Sequence, residues 1–84
     1  QLFLLVNKLF PEDDGTFRIV GYGRNEDGSF YLSIRAYSYL KISKVTRQLV
    51  NYDQVSNVRI VSISQENDSS AYIANISFLF ISEE

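Results

Sequence analysis

Asp27-Gly28-Ser29-Phe30-Tyr31-Leu32-Ser33-Ile34-Arg35-Ala36 decides the fold. Asp-Gly tolerates the positive φ that tight hairpin turns require. The residues after it alternate: Phe30, Leu32, Ile34 and Ala36 fall on one face, Tyr31, Ser33 and Arg35 on the other. A period of two with one apolar face is the pattern of an antiparallel strand covered on one side only. Upstream, Thr16–Gly23 opens with Phe17-Arg18-Ile19-Val20 and reads as the partner strand of that hairpin.

Two helices frame this hairpin. Gln1–Phe10 places Leu2, Leu5, Val6 and Leu9 at helical spacing, and Phe3, Leu4 and Phe10 make it apolar on more than one side. Pro11 ends it, and Glu12-Asp13-Asp14-Gly15 reads as a solvated turn. Ser38 suits an N-cap for a second helix over Tyr39–Asn51, which lines Tyr39, Ile42, Val45 and Leu49 along one face. Val58–Gln65 and Ala71–Ile81 read as two further strands around a polar loop, Glu66–Ser70. The order is αββαββ.

Displaced by 41 residues, the two hairpins overlay without a gap. Phe17-Arg18-Ile19-Val20 falls on Val58-Arg59-Ile60-Val61, and six positions between Phe17–Tyr37 and Val58–Phe78 are identical. The chain therefore reads as tandem αββ units, approximately 1–36 and 37–82, within a single domain spanning 1–84. A hairpin with one apolar face and one helix is too small to fold alone. Two such units side by side give one four-stranded antiparallel sheet with both helices on the same face, an α+β two-layer sandwich. The expected core is Leu5, Leu9, Phe17, Ile19, Leu32, Ile34, Ile42, Val45, Leu49 and Ile60.

This arrangement is a circular permutation of the ferredoxin-like βαββαβ sandwich. Two stretches, Leu4–Pro11 with its following hairpin, and Ile42–Leu49 leading through Val55–Ile63, resemble the periplasmic domain of PilN/PilO-type inner-membrane assembly proteins of type IV pili. They also resemble the GspL/GspM class of type II secretion. Arg47-Gln48-Leu49 and Val58-Arg59-Ile60-Val61-Ser62-Ile63 stand where that family has a helix ending R-x-L and a strand of the form V-x-L-x-S-I. The resemblance implies a non-enzymatic interaction domain on the periplasmic side of the bacterial inner membrane. It would pair with itself or with a paralogous assembly protein, and reach the membrane only through a helix upstream of this segment. The absence of Met and the start at Gln1 fit a domain excised from a longer, membrane-anchored protein.

Composition narrows the chemistry. Eight Lys and Arg against ten Asp and Glu leave a net charge of −2, which offers phosphate backbones no attraction and argues against nucleic-acid binding. Without Cys or His there is no zinc site, thiol nucleophile or imidazole base, and no metal or cofactor is expected. Gly21-Tyr22-Gly23 begins like a phosphate loop, but a strand follows where a helix is needed; a bulged, close-packed strand end is the better reading. Glu12-Asp13-Asp14 and Asn25-Glu26-Asp27 lack calcium-loop spacing and read as solvated turns. Six Tyr invite a base-stacking platform, yet no Lys/Arg-rich motif accompanies them.

What remains is apolar surface. Two helices cover one side of a sheet, and with Arg18 and Arg59 outward, Val20, Tyr22, Val61 and Ile63 also turn outward. In the last strand either Tyr72, Ala74, Ile76, Phe78 and Phe80 or the intervening Ile73, Leu79 and Ile81 face the helices: the repeat favours one parity and the apolar alternation the other. The candidate interface comprises Leu2, Phe3, Val20, Tyr22, Val61, Ile63, Phe78, Leu79, Phe80 and Ile81, with Ser77–Ile81 as an edge open to a second chain. An ACT-like domain sensing a small molecule is the alternative. It is disfavoured by Ser38 at the strand–helix junction and the lack of Gly after Gly28.

Overall fold

A computed structural model of the chain describes residues 2–10, 17–67 and 69–81. The elements are α1 (Leu2–Leu9), β1 (Phe17–Arg24), β2 (Phe30–Ala36), α2 (Tyr39–Val50), β3 (Val55–Gln65) and β4 (Tyr72–Phe80). They form one α+β unit in which all strand pairings are antiparallel and the sheet order is β1-β2-β4-β3. Pro11 and the Glu12–Gly15 turn lie outside the described residues.

Local chemistry sets the element ends. The Ser38 hydroxyl accepts from the Lys41 amide at 3.1 Å, and the extended backbone of Ser38 (φ −155°, ψ 152°) is that of an N-cap. In the first hairpin the Gly28 amide bonds the Asn25 carbonyl at 3.1 Å and the Asn25 amide bonds the Ser29 carbonyl at 2.7 Å. Gly28 sits at φ 93°, where a side chain would be strained.

The helix-facing row of the sheet makes the core. Leu32, Ile34 and Ala36 of β2 lie beside Ala74, Ile76 and Phe78 of β4, beneath Ile42, Val45 and Leu49 of α2 and Leu5 of α1. Phe78 is 0% exposed, so it is core rather than interface. Phe80 stands opposite Val55 and packs edge-on to Phe30 and Phe78 at 4.9 and 5.7 Å, so it too turns inward. Leu9 and Ile19 are half-buried against this cluster. Ile60 faces the helix side opposite Ile76, yet it is exposed because β3 is an edge strand.

Two further expectations are corrected. β4 is an inner strand between β2 and β3, so Ser77–Ile81 is not a free edge. The outward turn of Tyr22 and Ile63 is undone by β-bulges. Ile19 pairs with Ile34 and Gly21 with Ser33, leaving Val20 as an extra residue; Ile60 pairs with Ile76 and Ser62 with Asn75, leaving Val61 extra. One inserted residue inverts the alternation beyond it. Tyr22 therefore stands opposite Leu32 and Ile63 opposite Ala74, both on the helix side.

The bulges fall at equivalent positions of the 41-residue repeat, Val20 and Val61. The second strands do not follow that spacing. Ile34 and Ile76, the partners of Ile19 and Ile60, are 42 apart, because the loop 66–71 has six residues where 25–29 has five. That single residue settles the parity of β4 in favour of the apolar alternation. Ile73, Asn75, Ser77 and Leu79 consequently lie on the face that no helix covers.

Leu49→Ala, at a fully buried site, is expected to lower unfolding free energy by about 2–5 kcal/mol, while the neighbouring exposed Val50→Ala changes it by less than about 0.5 kcal/mol. Urea titration measures both. Deleting one residue from 66–71 sets register against burial, and the cooperative unfolding transition is expected to be lost.

Candidate functional site

The uncovered face carries a polar belt. Ser33, Asn75 and Ser62 are direct neighbours on β2, β4 and β3. The Ser33 hydroxyl donates to Asn75 Oδ1, and Asn75 Nδ2 donates to Ser62 Oγ at 3.0 Å. At one end Arg35 forms a two-pronged ion pair with Glu66, Nε and Nη2 each 3.0 Å from Oε1, and its Nη1 donates to the Tyr37 hydroxyl at 3.0 Å. The Arg35 bonds hold the Glu66 carboxyl below its ordinary value of 4.5.

Towards the other end the face opens into a groove of about 510 Å³. Asp27 and Ser29 of the hairpin turn line one wall, Val58 and Arg59 of β3 the other, and Ser77 and Leu79 of β4 the floor. The groove follows from the backbone. Ser56 pairs with Leu79 and Arg59 with Ser77, so Asn57 and Val58 share the single position opposite Phe78, and Asn57 takes φ 55°. This third bulge bends β3 beside the hairpin turn.

The groove's polar groups are differently tied. Asp27 Oδ1 accepts from the Ser29 amide at 2.9 Å and from its hydroxyl at 2.6 Å. Those bonds, with a smaller contribution from the Arg59 charge, draw the Asp27 carboxyl below its ordinary 3.8. The Arg59 guanidinium makes no ion pair among the described residues. Ser77 is only 9% exposed, lying between its register partners Tyr31 and Arg59, and no buried side-chain polar atom among the described residues lacks a hydrogen-bond partner. Carboxylate, guanidinium and hydroxyl thus border one depression.

The candidate interface residues do not come together. Val20 and Val61 are exposed on the uncovered face at the two bulges, on opposite edge strands. Leu79 is half-buried there, and Ile81, exposed, follows β4 with its amide bonded to the Gln54 carbonyl at 2.9 Å. Between these residues runs the Ser–Asn–Ser belt, so the face is not a continuous apolar surface. Leu2 packs against the core from α1, whereas Phe3 is exposed. Leu4, beside it, is exposed as well. Among strand tyrosines only Tyr31 lies on the uncovered face; Tyr22 and Tyr72 lie on the other, Tyr72 against the Tyr39 ring at 4.5 Å.

The bulged, close-packed reading of Gly21–Gly23 holds. A Cβ at Gly23 would stand 2.9 Å from the Tyr31 ring, which covers it from β2. Asn25-Glu26-Asp27 is exposed turn, whereas Glu12-Asp13-Asp14 lies outside the described residues. The groove residues Asp27, Arg59 and Ser77 carry no motif. Their only signal in the sequence is a hydroxyl in an otherwise apolar stretch, Ser77 between Ile76 and Phe78. No family model matches this chain, and neither curated proteins nor solved structures show a match to it.

Asn75→Ala, which strips the belt of both side-chain bonds, is expected to cost about 1–2 kcal/mol in urea titration. The Arg35–Glu66 pair is worth testing by pH. Because the folded Glu66 carboxyl titrates below its unfolded value, its contribution is present above about 4.5 and fades as pH falls through the lower folded value. The stability gap between the native chain and Glu66→Gln is therefore expected to narrow from pH 7 to pH 3.

Proposed function

We propose that this domain is a non-enzymatic protein-interaction module whose docking element is the outer face of α1. One observation carries the reading. Phe3 is 62% and Leu4 69% exposed, adjacent apolar side chains on an eight-residue helix whose other side, Leu5 with Leu2, Val6 and Leu9, already serves the core. Adjacent large apolar groups held in water on a helix are what a partner surface covers. The edges of the sheet are poorer candidates, since bulges in β1 and β3 interrupt the row of free amides and carbonyls that a second strand would pair with.

The fold is compatible with the permuted ferredoxin-like sandwich. Moving β4 to the front of α1-β1-β2-α2-β3-β4 gives the order βαββαβ, and β4 lies in the sheet interior, between β2 and β3. On that basis, and on the residues Arg47-Gln48-Leu49 and Val58–Ile63, we carry the PilN/PilO-type resemblance forward as part of this proposal. The domain would be an assembly subunit of a type IV pilus or type II secretion machine, on the periplasmic side of the bacterial inner membrane. Its partner would be a second copy or a paralogous assembly protein.

Sedimentation velocity tests the interaction. The chain is expected to self-associate reversibly, or to bind a paralogous assembly domain. Phe3→Glu with Leu4→Glu is expected to abolish association while leaving the unfolding free energy from urea titration within about 0.5 kcal/mol of native, as exposed sites allow. A strict monomer at high concentration that also ignores such a domain would refute the reading.

A further inference from the structure

Charge is sorted by element in this chain. The helices and strands hold all eight Lys and Arg and no Asp or Glu. The consequence is sharpest on α2, where Leu40, Lys44 and Arg47 follow one another at i, i+4 and i+7. Ile42, Val45 and Leu49 are buried beneath the helix, so that row stands on the side turned furthest from the sheet. All three side chains are exposed, Leu40 at 65%. Neither Lys44 nor Arg47 forms an ion pair among the described residues. Lys41 turns aside and lies over the Phe17 ring at 4.9 Å. The neighbouring α1, joined to α2 where Gln48 Nε2 donates to the Leu9 carbonyl at 3.4 Å, adds Lys8 and no acid. Asp53, the carboxylate nearest to the row along the chain, lies beyond the end of the helix.

Helix stability does not explain this arrangement. An acid in the first turn would favour the helix dipole, and acids one turn before Lys44 or Arg47 would form stabilising pairs. α2 has neither, and it puts Lys41 in its first turn. An outward row of uncompensated cations with an exposed leucine is the pattern of a basic helix that lies on an anionic bilayer. There the cations reach headgroup phosphates and the leucine enters the acyl boundary. Shape also favours a bilayer over a polypeptide. Two depressions in the surface lie over the uncovered side of the sheet, and α2 lines neither; its outer row is the convex side of a single helix. A deformable headgroup layer receives such a ridge without a matching cleft. We propose that the α2 ridge docks the domain on the surface of an anionic membrane, with Lys44 and Arg47 on lipid phosphates and Leu40 between the headgroups. The net charge of −2 does not oppose this, because screening confines the attraction to groups within about 10 Å of the bilayer. This gives the domain a membrane contact of its own, beyond the upstream helix that the family resemblance implies. The contact is separate from association through α1 and does not rest on it.

Flotation of the whole 84-residue chain with lipid vesicles tests this. Vesicles of mixed phosphatidylglycerol and phosphatidylcholine are expected to carry the chain, and pure phosphatidylcholine vesicles to leave it behind. Raising NaCl from about 0.1 M to about 0.5 M is expected to release it, as the screening length shortens. Lys44→Gln with Arg47→Gln keeps good helix formers at exposed positions. This pair is expected to weaken vesicle binding about thirtyfold, about fivefold for each cation. Leu40→Ala is expected to weaken it several-fold. Sedimentation of the double variant is expected to match native, so failure of vesicle binding and failure of the α1 reading are distinguishable. The lipid and salt comparisons use the native chain and keep the test decisive should a variant misfold. Equal binding to neutral vesicles, no binding to either kind, native affinity in the double variant, or binding to poly-L-glutamate without vesicle binding would overturn the proposal.

Discussion

Leu32, Ile34 and Ala36 of β2, set against Ala74, Ile76 and Phe78 of β4 beneath α2, form the contact on which the rest of the structure depends. With one domain and two short helices, the chain has enough apolar cover for one side of one sheet. The two inner strands must therefore present matching parities to that cover. If β4 turned over, Phe78 and Ile76 would meet water while Asn75 and Ser77 entered the core without partners, which costs both apolar burial and unsatisfied polar groups. The parity is held by a loop only one residue longer than its counterpart in the first hairpin.

The same constraint shapes the uncovered face. Once the apolar row of β4 is committed to the helices, Asn75 and Ser77 are what it offers on the other side, and they meet Ser33, Ser62, Tyr31 and Arg59. Hydrogen bonding replaces burial there, through Ser33–Asn75–Ser62 and Arg35–Glu66. The bulges do the remaining work on the edges. They turn Tyr22 and Ile63 towards the helices, push Val20 and Val61 outward, and open the depression beside Arg59. The exposed apolar groups of α1 and the opposed charges of Asp27 and Arg59 thus lie on different sides of the molecule.

Much of the architecture was legible because it rests on short-range chemistry. Ser38 as a cap, Gly28 in its turn and the alternation of Phe30 to Ala36 are each written in a few neighbouring residues. Most of the expected core was legible for the same reason: Leu5, Phe17, Leu32, Ile34, Ile42, Val45 and Leu49 are all buried. Ile60 was misjudged because burial depends on position in the sheet, and β3 lies at its edge. The interface reading of Phe78 failed similarly, since an apolar residue looks alike at an edge and in a centre until the strand order is known. The groove was invisible for a stronger reason: its residues come from three separated segments, the turn at Asp27, the bulge at Arg59 and the strand at Ser77.

The sequence alone determined six elements in the order αββαββ, a first helix apolar on more than one side, one apolar face in the second helix and in the second strand, and the exclusion of thiol, imidazole and zinc chemistry, because period, caps and residue types are local properties. Only the tertiary structure decided strand order, which side of β4 faces the helices, and that Asp27, Arg59 and Ser77 border one depression. Those outcomes depend on pairing register, and a single extra residue in a loop or at a bulge reverses every side chain beyond it while leaving the local pattern of the sequence unchanged.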